Sequence, residues 1–408
     1  MRKSKETNKI KIYKKDLFCG YLLRRNDGGA EFIYDEKYLA SPQTPNLCFN
    51  IIKRKESYIQ HGANLHPYFA GLLPEGLRLK YLVQKVKTSP DDLFSLFASI
   101  GHDCIGDVYA LSDLKTEAHL VYEKPDKKAM PKWDEINFYD YFLSTLSEDI
   151  EQSEFAGVQE KISASMISLP ITTRNKGFYI LKLNPKDKQN LVYNEWACLK
   201  LAQSCGINVN DFQLIEDKNA NLGLLVKRFD RVSIKGHFAR VHQEDLCQVL
   251  NLFPSEKYRV ALKDIVHALQ EFSTAPLIET YNLIKLMTFS YLIGNGDMHA
   301  KNISLSESPI SGQIGLTPAY DLICTLIYGD TKMALKLDAK DSNLKRKDLL
   351  NFGLRLGLSK ETLESMMDDL LHYFYLNHHI LFSIPMTEQK SNFLSHEILL
   401  RIKSLSSD

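Results

Sequence analysis

The stretch LIGNGDMHAKNISL places Asp297, His299, Lys301 and Asn302 within six positions, where an apolar run gives way to a polar loop. Carboxylate, imidazole, amine and carboxamide so close together suit a reaction that must orient a nucleophile and hold a cation. Asp297 and Asn302 are separated by four residues. In phosphoryl transfer, D-x-x-x-x-N is the spacing in which the aspartate accepts the proton of the attacking hydroxyl and the asparagine ligates Mg²⁺. The plainer account is a helix end, since Asn and Asp side chains stabilise turns. A second carboxylate, Asp321 in LTPAYDLICT, shifts the balance. It follows a polar turn at SESPISG and a strand-like QIGLT, so a hairpin returns it beside Asn302 as the main metal ligand. The alternative for Asp321 is a cap on a helix starting at LICTLI.

Lys182 sits inside the apolar run YILKL, where a buried ammonium is costly unless it meets an anion. A nucleotide phosphate supplies one, as does Glu195 on the next helix; an edge-strand lysine with its head in water is the competing account. SEFAGVQEK carries one glycine, a weak phosphate cradle by the glycine-rich criteria, although the amides of Ala156, Gly157 and Val158 can still approach a phosphate. LLVKRFDR brings Phe229 to a strand end as a face for an adenine ring, with Arg228 and Arg231 available to nearby carboxylates. A solvated charge cluster at a strand end is the commoner arrangement.

The elements that must position these residues follow from the pattern of the chain. Its 408 residues are 44% hydrophobic and 25% charged with a formal net charge of +1, which predicts two or three lobes and gives no global electrostatic reason to bind nucleic acid or an anionic membrane. The basic start MRKSKETNKIKIYKK lacks an apolar core, and no later run reaches the length of a bilayer span, so a cytoplasmic location is expected. Seven cysteines without a CxxC pair read as reduced, mostly buried thiols. From Lys9 to about Leu111 the stretches KIYKKDLFCGYLLR, AEFIYDEKYLA and NLCFNIIKR predict a strand-rich module, with helices near 77–87 and 91–98. The Lys-, Glu- and Pro-rich segment 116–133 marks a boundary. A strand-loop-strand unit ending in FYILKL, the helix LVYNEWACLKLAQSC and the strand LGLLVKRF come next. The apolar helices ALKDIVHALQEF and ETYNLIKLMTFSYLI follow, the second of which must be buried.

These residues resemble the HipA family of toxin kinases. The resemblance runs in order through FCGYLL, FIYDEKYL, HPYFAGLLPEG, GHDCIGDV, FAGVQEKISA, YILKLNP, NEWACLKLAQSCGI, LLVKRFDR, HQEDLCQVL, GNGDMHAKNISL and TPAYDL. It implies an α+β, two-lobed protein-kinase-like fold related to phosphoinositide kinases. The expected units are an N-terminal subdomain at 1–115, a nucleotide-binding lobe at 134–230 and a helical lobe at 231–408. It implies Asp297 as catalytic base, Asn302 and Asp321 as Mg²⁺ ligands, Lys182 on the ATP phosphates with Glu195 as partner, and Leu225, Val226, Lys227 and Phe229 as the adenine-binding hinge. His299 and Lys301 match the family pattern, and Lys301 is placed to steady the transferred phosphoryl group. The implied activity is that of a Ser/Thr kinase acting on a translation component, typically an aminoacyl-tRNA synthetase. The implied restraint is a helix-turn-helix antitoxin of HipB type, which alone brings DNA into contact. The family's regulatory serine before AGxQEK is replaced here by Glu154, with Ser153 one residue earlier; a carboxylate carries less charge than a phosphoserine. A catalytically silent binding module and a small-molecule or lipid kinase are the competing functional classes.

Overall fold

The computed structural model describes residues 8–62, 64–112, 132–146, 166–172, 177–185, 188, 190–234 and 237–406. The loop bearing Ser153, Glu154, Ala156, Gly157 and Val158 lies outside the described residues, as does nearly all of the boundary segment 116–133.

Alternating apolar residues in β1 (Lys9–Lys14) bury Ile10 and Ile12 on one face of an antiparallel sheet. Its order is β4-β3-β2-β1-β5, with β2 (Leu17–Arg24), β3 (Ala30–Tyr34), β4 (Tyr58–Gln60) and β5 (Val108–Ser112). Lys15 and Asp16, at φ 47° and 65°, turn β1 into β2, the left-handed pair whose twist suits a two-residue hairpin. Helices α1 (Glu36–Ala40), α2 (Pro67–Gly71), α3 (Gly76–Val86) and α4 (Leu93–Ile100) accompany this sheet, and Phe32, Phe69 and Phe97 meet in its core. NLCFNIIKR, expected as a strand, forms none. Its apolar residues serve two masters: Leu47 and Ile51 enter the N-terminal core, while Phe49 N–H donates to Glu244 and Asn50 to the carbonyls of Gln248 and Val249. The Phe49 amide and the Asn50 side chain are spent on docking rather than on a ladder.

A second sheet has the order β6-β7-β9-β8, from β6 (Ile167–Thr172), β7 (Phe178–Leu183), β8 (Phe212–Glu216) and β9 (Leu222–Lys227). Its core joins α5 (Phe138–Leu146) through Phe138 and Phe142 to Leu169, Leu181 and Leu225. Between β7 and β8 lies α6 (Leu191–Ser204), nearly all of whose apolar residues are buried. The hairpin β10 (Arg231–Ile234) and β11 (His237–Arg240) leads to β12 (Gln243–Asp245) and the short α7 (Leu246–Val249). The C-terminal part is helical, with α8 (Leu262–Phe272), α9 (Pro276–Ile293), α10 (Arg346–Arg355), α11 (Lys360–Asn377) and α12 (Glu388–Leu405). Buried on almost every side from Leu283 to Ile293, α9 is the axis of this part. After α9, β13 (Ser304–Glu307) and β14 (Ile314–Leu316) form the expected hairpin beside β12. Among the described residues no helix is long and apolar enough to cross a membrane, and all seven cysteines are buried.

Candidate active site

Two glycines shape the polar loop after α9. Gly294, at φ 65°, ends the helix with its own N–H on the Tyr291 carbonyl and that of Asn295 on the Ser290 carbonyl, the paired pattern of a left-handed helix stop. A Cβ on Gly294 would meet Leu326 Cγ at 2.3 Å, and one on Gly296 would meet Asp330 Oδ2 at 2.4 Å. The loop therefore lies tight against the chain around 325–332, and only glycine passes at either position. Asn295 then accepts from Asp297 N–H through Oδ1 at 3.0 Å, and Asn302 Nδ2 donates to the Asp297 carbonyl at 3.0 Å. Five positions apart, the aspartate and the asparagine are thus locked together, and the Asn302 carboxamide oxygen is turned away from that carbonyl. Tyr258, which sequence reasoning missed, donates its hydroxyl to Asp297 Oδ1 at 2.6 Å and meets the His299 ring edge-on at 4.9 Å. His299 is buried and its pKa is lowered, chiefly by burial and next by the Lys257 charge.

The second carboxylate arrives by the hairpin. Tyr320 donates to the Lys301 carbonyl at 2.8 Å and shares a hydrogen bond with Ser304 at 2.5 Å, which ties the approach to Asp321 onto the 297–302 loop. Asp321 itself stands at φ 53°, in the left-handed region where Asp is among the better tolerated residues. It does not cap a helix: among residues 321–328 the only helical turn is the single 3-10 turn Leu326–Tyr328. The reason lies on α6. Asn194 takes both backbone groups of Cys324, with Nδ2 on its carbonyl at 2.9 Å and Oδ1 on its N–H at 2.8 Å, while Glu195 Oε1 accepts from Asp321 N–H at 3.1 Å. Backbone groups that a helix would need are already engaged by side chains.

Lys182 joins the halves of the site. It belongs to β7, which lies between β6 and β9, so the edge-strand account fails; its residue is only 6% exposed. Its ammonium contacts Glu195 Oε1 at 2.5 Å and Asp321 Oδ1. Burial alone would lower the Lys182 pKa, but the Asp321 and Glu195 charges raise it above the ordinary lysine value. Burial pushes the Glu195 carboxyl up to about 7 against the pull of Lys182, and Glu195 Oε2 is buried without a hydrogen bond.

The remaining expected residues divide between core and surface. Leu225 is buried in the sheet core and Val226 packs against the larger core of α6 and the helical part, whereas Lys227 is exposed and pairs with Asp211 at 2.9 Å. Phe229 lies 6.0 Å from the Tyr320 ring, between the strand end and the approach to Asp321. Arg228 and Arg231 are not a solvated cluster. Both are buried on Asp230, at 2.8 and 2.7 Å, and Arg231 also donates to the carbonyls of Cys104 and Gly106. Lys301 is held by Glu75 Oε1 at 2.5 Å, and Lys257 by Glu75 Oε2 at 2.7 Å. Glu75 escaped sequence reasoning because 226 residues separate it from Lys301.

For Mg²⁺, Asp321 and Asn302 supply a carboxylate and a carboxamide oxygen on adjoining elements. That is the partial set Mg²⁺ takes when substrate phosphates and water complete its shell. The orphaned oxygen of Glu195 and the buried Lys182 charge fit a polar ligand at the same place.

Comparison with known proteins agrees with this architecture. Residues 10–111 match the HipA N-terminal domain and residues 153–374 the HipA-like C-terminal domain. The Sinorhizobium fredii protein named "Putative kinase Y4dM" is 28% identical over 361 residues, covering 83% of this chain and 84% of its own. The Shewanella oneidensis serine/threonine-protein kinase toxin HipA is 26% identical over 366 residues, covering 81% of this chain and 80% of its own. The solved complex of Shewanella oneidensis HipA, HipB and operator DNA shares the fold, with a TM-score of 0.70 at 20% identity over 97% of this chain and 96% of that one. With the C-terminal match spanning more than half of the 408 residues and the N-terminal match filling the strand-rich unit before it, the chain belongs to the HipA family.

Proposed function

We propose that this protein is an ATP- and Mg²⁺-dependent Ser/Thr protein kinase that transfers the γ-phosphate to a protein hydroxyl. The observation that carries the reading is the convergence of four side chains from distant segments. Lys182 reaches Glu195 and Asp321, while Asp297 and Asn302 are fixed to one another in the loop that Tyr320 ties to Asp321. In this reading Asp297 orients the acceptor hydroxyl and takes its proton, since one carboxylate oxygen is anchored by Tyr258 and the other is left to accept. Lys182 lies along the nucleotide phosphates, Phe229 flanks the base beside Leu225 and Val226, and Asn302 and Asp321 hold the metal. Bound Mg²⁺ would supply charge neutralisation at the phosphates. The amides of Ala156, Gly157 and Val158 cover the phosphates, with Ser153 and Glu154 as the place where that cover is regulated. His299 supports Tyr258 beneath the acceptor side.

The wider role follows the family: a cytoplasmic toxin acting on a translation component such as an aminoacyl-tRNA synthetase, restrained by a HipB-type antitoxin through which it meets operator DNA. The name of the Shewanella toxin kinase supports the toxin part of that reading, and the solved complex of Shewanella HipA with HipB and operator DNA supports the antitoxin part. A restrained binding module is the second reading, favoured by the direct grip of Lys182 on Asp321.

Calorimetric titration with Mg·ATP tests the nucleotide site on which the first reading depends. Binding that Asp321→Ala weakens tenfold or more, about 1.4 kcal/mol, is the outcome expected of a nucleotide site. Equal affinity in wild type and variant would remove Asp321 from the ligand role.

A further inference from the structure

Glu75 stands at the N-cap of α3, where a carboxylate ordinarily accepts from the first helical amides. Its side chain caps nothing. Instead Oε1 takes Lys301 at 2.5 Å and Oε2 takes Lys257 at 2.7 Å. Those two lysines are the immediate neighbours of two of the side chains that fix Asp297: Lys257 precedes Tyr258, whose hydroxyl binds Asp297 Oδ1, and Lys301 precedes Asn302, whose amide binds the Asp297 carbonyl. The two segments also meet directly, with Ala300 N–H on the Lys257 carbonyl at 3.2 Å. Asp245, at the N-cap of α7, stands a further 4.0 Å from Lys301 and spends its own Oδ1 on Gln248 N–H. Glu75 is therefore the carboxylate in direct contact with both lysines.

Its foundation is firm. α2, just before Glu75, packs on α7 so closely that a Cβ on Gly71 would meet Gln248 Cγ at 2.7 Å, and Gln248 Nε2 donates to the Tyr68 carbonyl at 2.9 Å. The carboxylate thus projects from a docked surface, and the local helix gives up a cap in exchange for the two lysines.

We infer that Glu75 is a positioning residue of the phosphoryl-transfer site, a clamp by which the N-terminal unit holds the Asp297 loop and the Tyr258 segment in register. The inference rests on the proposed kinase reading, but the clamp itself is a statement about the loop and can be read without activity. It also assigns Lys301 a holding role in this conformation, with its ammonium on Glu75. The side chain of Glu75 is 43% exposed, so salt screens the clamp.

The test compares the full chain with Glu75→Gln, which keeps size and removes charge, and with Lys301→Met, which breaks the same contact from the other side. Hydrogen–deuterium exchange should become about tenfold faster in peptides spanning 256–260 and 295–303, with β7 unchanged. Unaltered exchange in both variants overturns the clamp whether or not the chain transfers phosphate. If Glu75→Gln loosens the whole N-terminal unit, Lys301→Met decides, because its partner loop lies in the other unit. Where the wild type transfers phosphate, kcat of Glu75→Gln should fall about 10–100-fold, the range a misplacement near 1 Å costs, with KM for ATP unchanged. Wild-type kcat should fall as salt rises and the variant's should not. A variant with wild-type kcat and salt dependence contradicts the inference while leaving the kinase reading intact.

Discussion

Taking an ammonium out of water costs several kcal/mol unless opposite charge stands beside it, and Lys182 has two carboxylates within contact. The arrangement leaves little tolerance for losing one member. Lys182→Met places the buried Glu195 next to Asp321 without a cation, so unfolding by urea should show a loss of about 3 kcal/mol. Glu195→Gln added to that variant should restore part of the loss, and a Lys182→Met protein as stable as wild type would show that the pair is unimportant to the fold. Some of this was legible from residue type alone. A lysine inside YILKL demands an anion, and Glu195 stands on the next helix. The polar partners Asn194, Tyr258 and Asn295 were not legible, because nothing in their own neighbourhoods distinguishes them from surface polar residues. Their roles come from what the fold brings to them. Of the two readings of Arg228 and Arg231, pairing with a nearby carboxylate is the one found, on Asp230; their burial was not legible, because the carbonyls that take Arg231 belong to Cys104 and Gly106, more than a hundred positions away.

At the scale of elements, period and punctuation served well where one element has one environment. β1, β7, α6 and α9 lie where β-branched content and the spacing of apolar residues indicated. Prediction failed where side chains from elsewhere claim the backbone, as Asn194 and Glu195 do at 321–324 and Glu244 does at Phe49. The junction of β1, β5 and β12 shows what such docking involves. Lys14 on β1 contacts Asp107 at 2.9 Å just before β5, and His242 just before β12 reaches Asp107 at 3.1 Å and Glu244 at 3.0 Å, all four buried. Burial and the Lys14 charge push the His242 pKa down, yet Asp107 and Glu244 outweigh them and raise it. Burial opposes ionisation of Asp107, but Lys14 and His242 hold its carboxyl well below the ordinary range. For the histidine the sign is that of a raised group: its contribution is complete below about pH 6.5 and is lost as pH climbs through the higher folded value. The depressed Asp107 contributes above about pH 3.9 and fails only in strong acid. Wild-type thermal midpoints should therefore decline as pH rises above about 6.5. In His242→Gln that part of the decline should vanish. Parallel curves for the two proteins would contradict the assignment.

Over the whole molecule, the N-terminal unit is more than an appendage. It meets the rest of the chain through the Lys14 network, the Asp230 carboxylate that accepts from Gly106 N–H at 2.9 Å, the 49–50 segment and Glu75. Contacts of this kind, made by charged and hydrogen-bonding groups rather than by apolar area alone, demand one relative placement of the two parts. Apolar periodicity foretold a strand-rich unit, a strand-loop-strand unit with a helix and a further strand, and a helical part, and their order along the chain is the order observed. How they face one another was not foretold, since each contact pairs residues far apart in sequence. The central claim, that this placement assembles a site for phosphoryl transfer with Asp297 as its base, has one direct measurement. Labelled γ-phosphate of ATP is followed into proteins of a bacterial lysate by wild type and by Asp297→Asn, and the labelled bands are identified by mass spectrometry. Wild type should label a protein acceptor, and Asp297→Asn should do so about 10²–10⁴-fold more slowly while melting at the same temperature. Labelling that survives at full rate in Asp297→Asn would contradict the account, as would a wild-type chain that binds Mg·ATP and labels nothing.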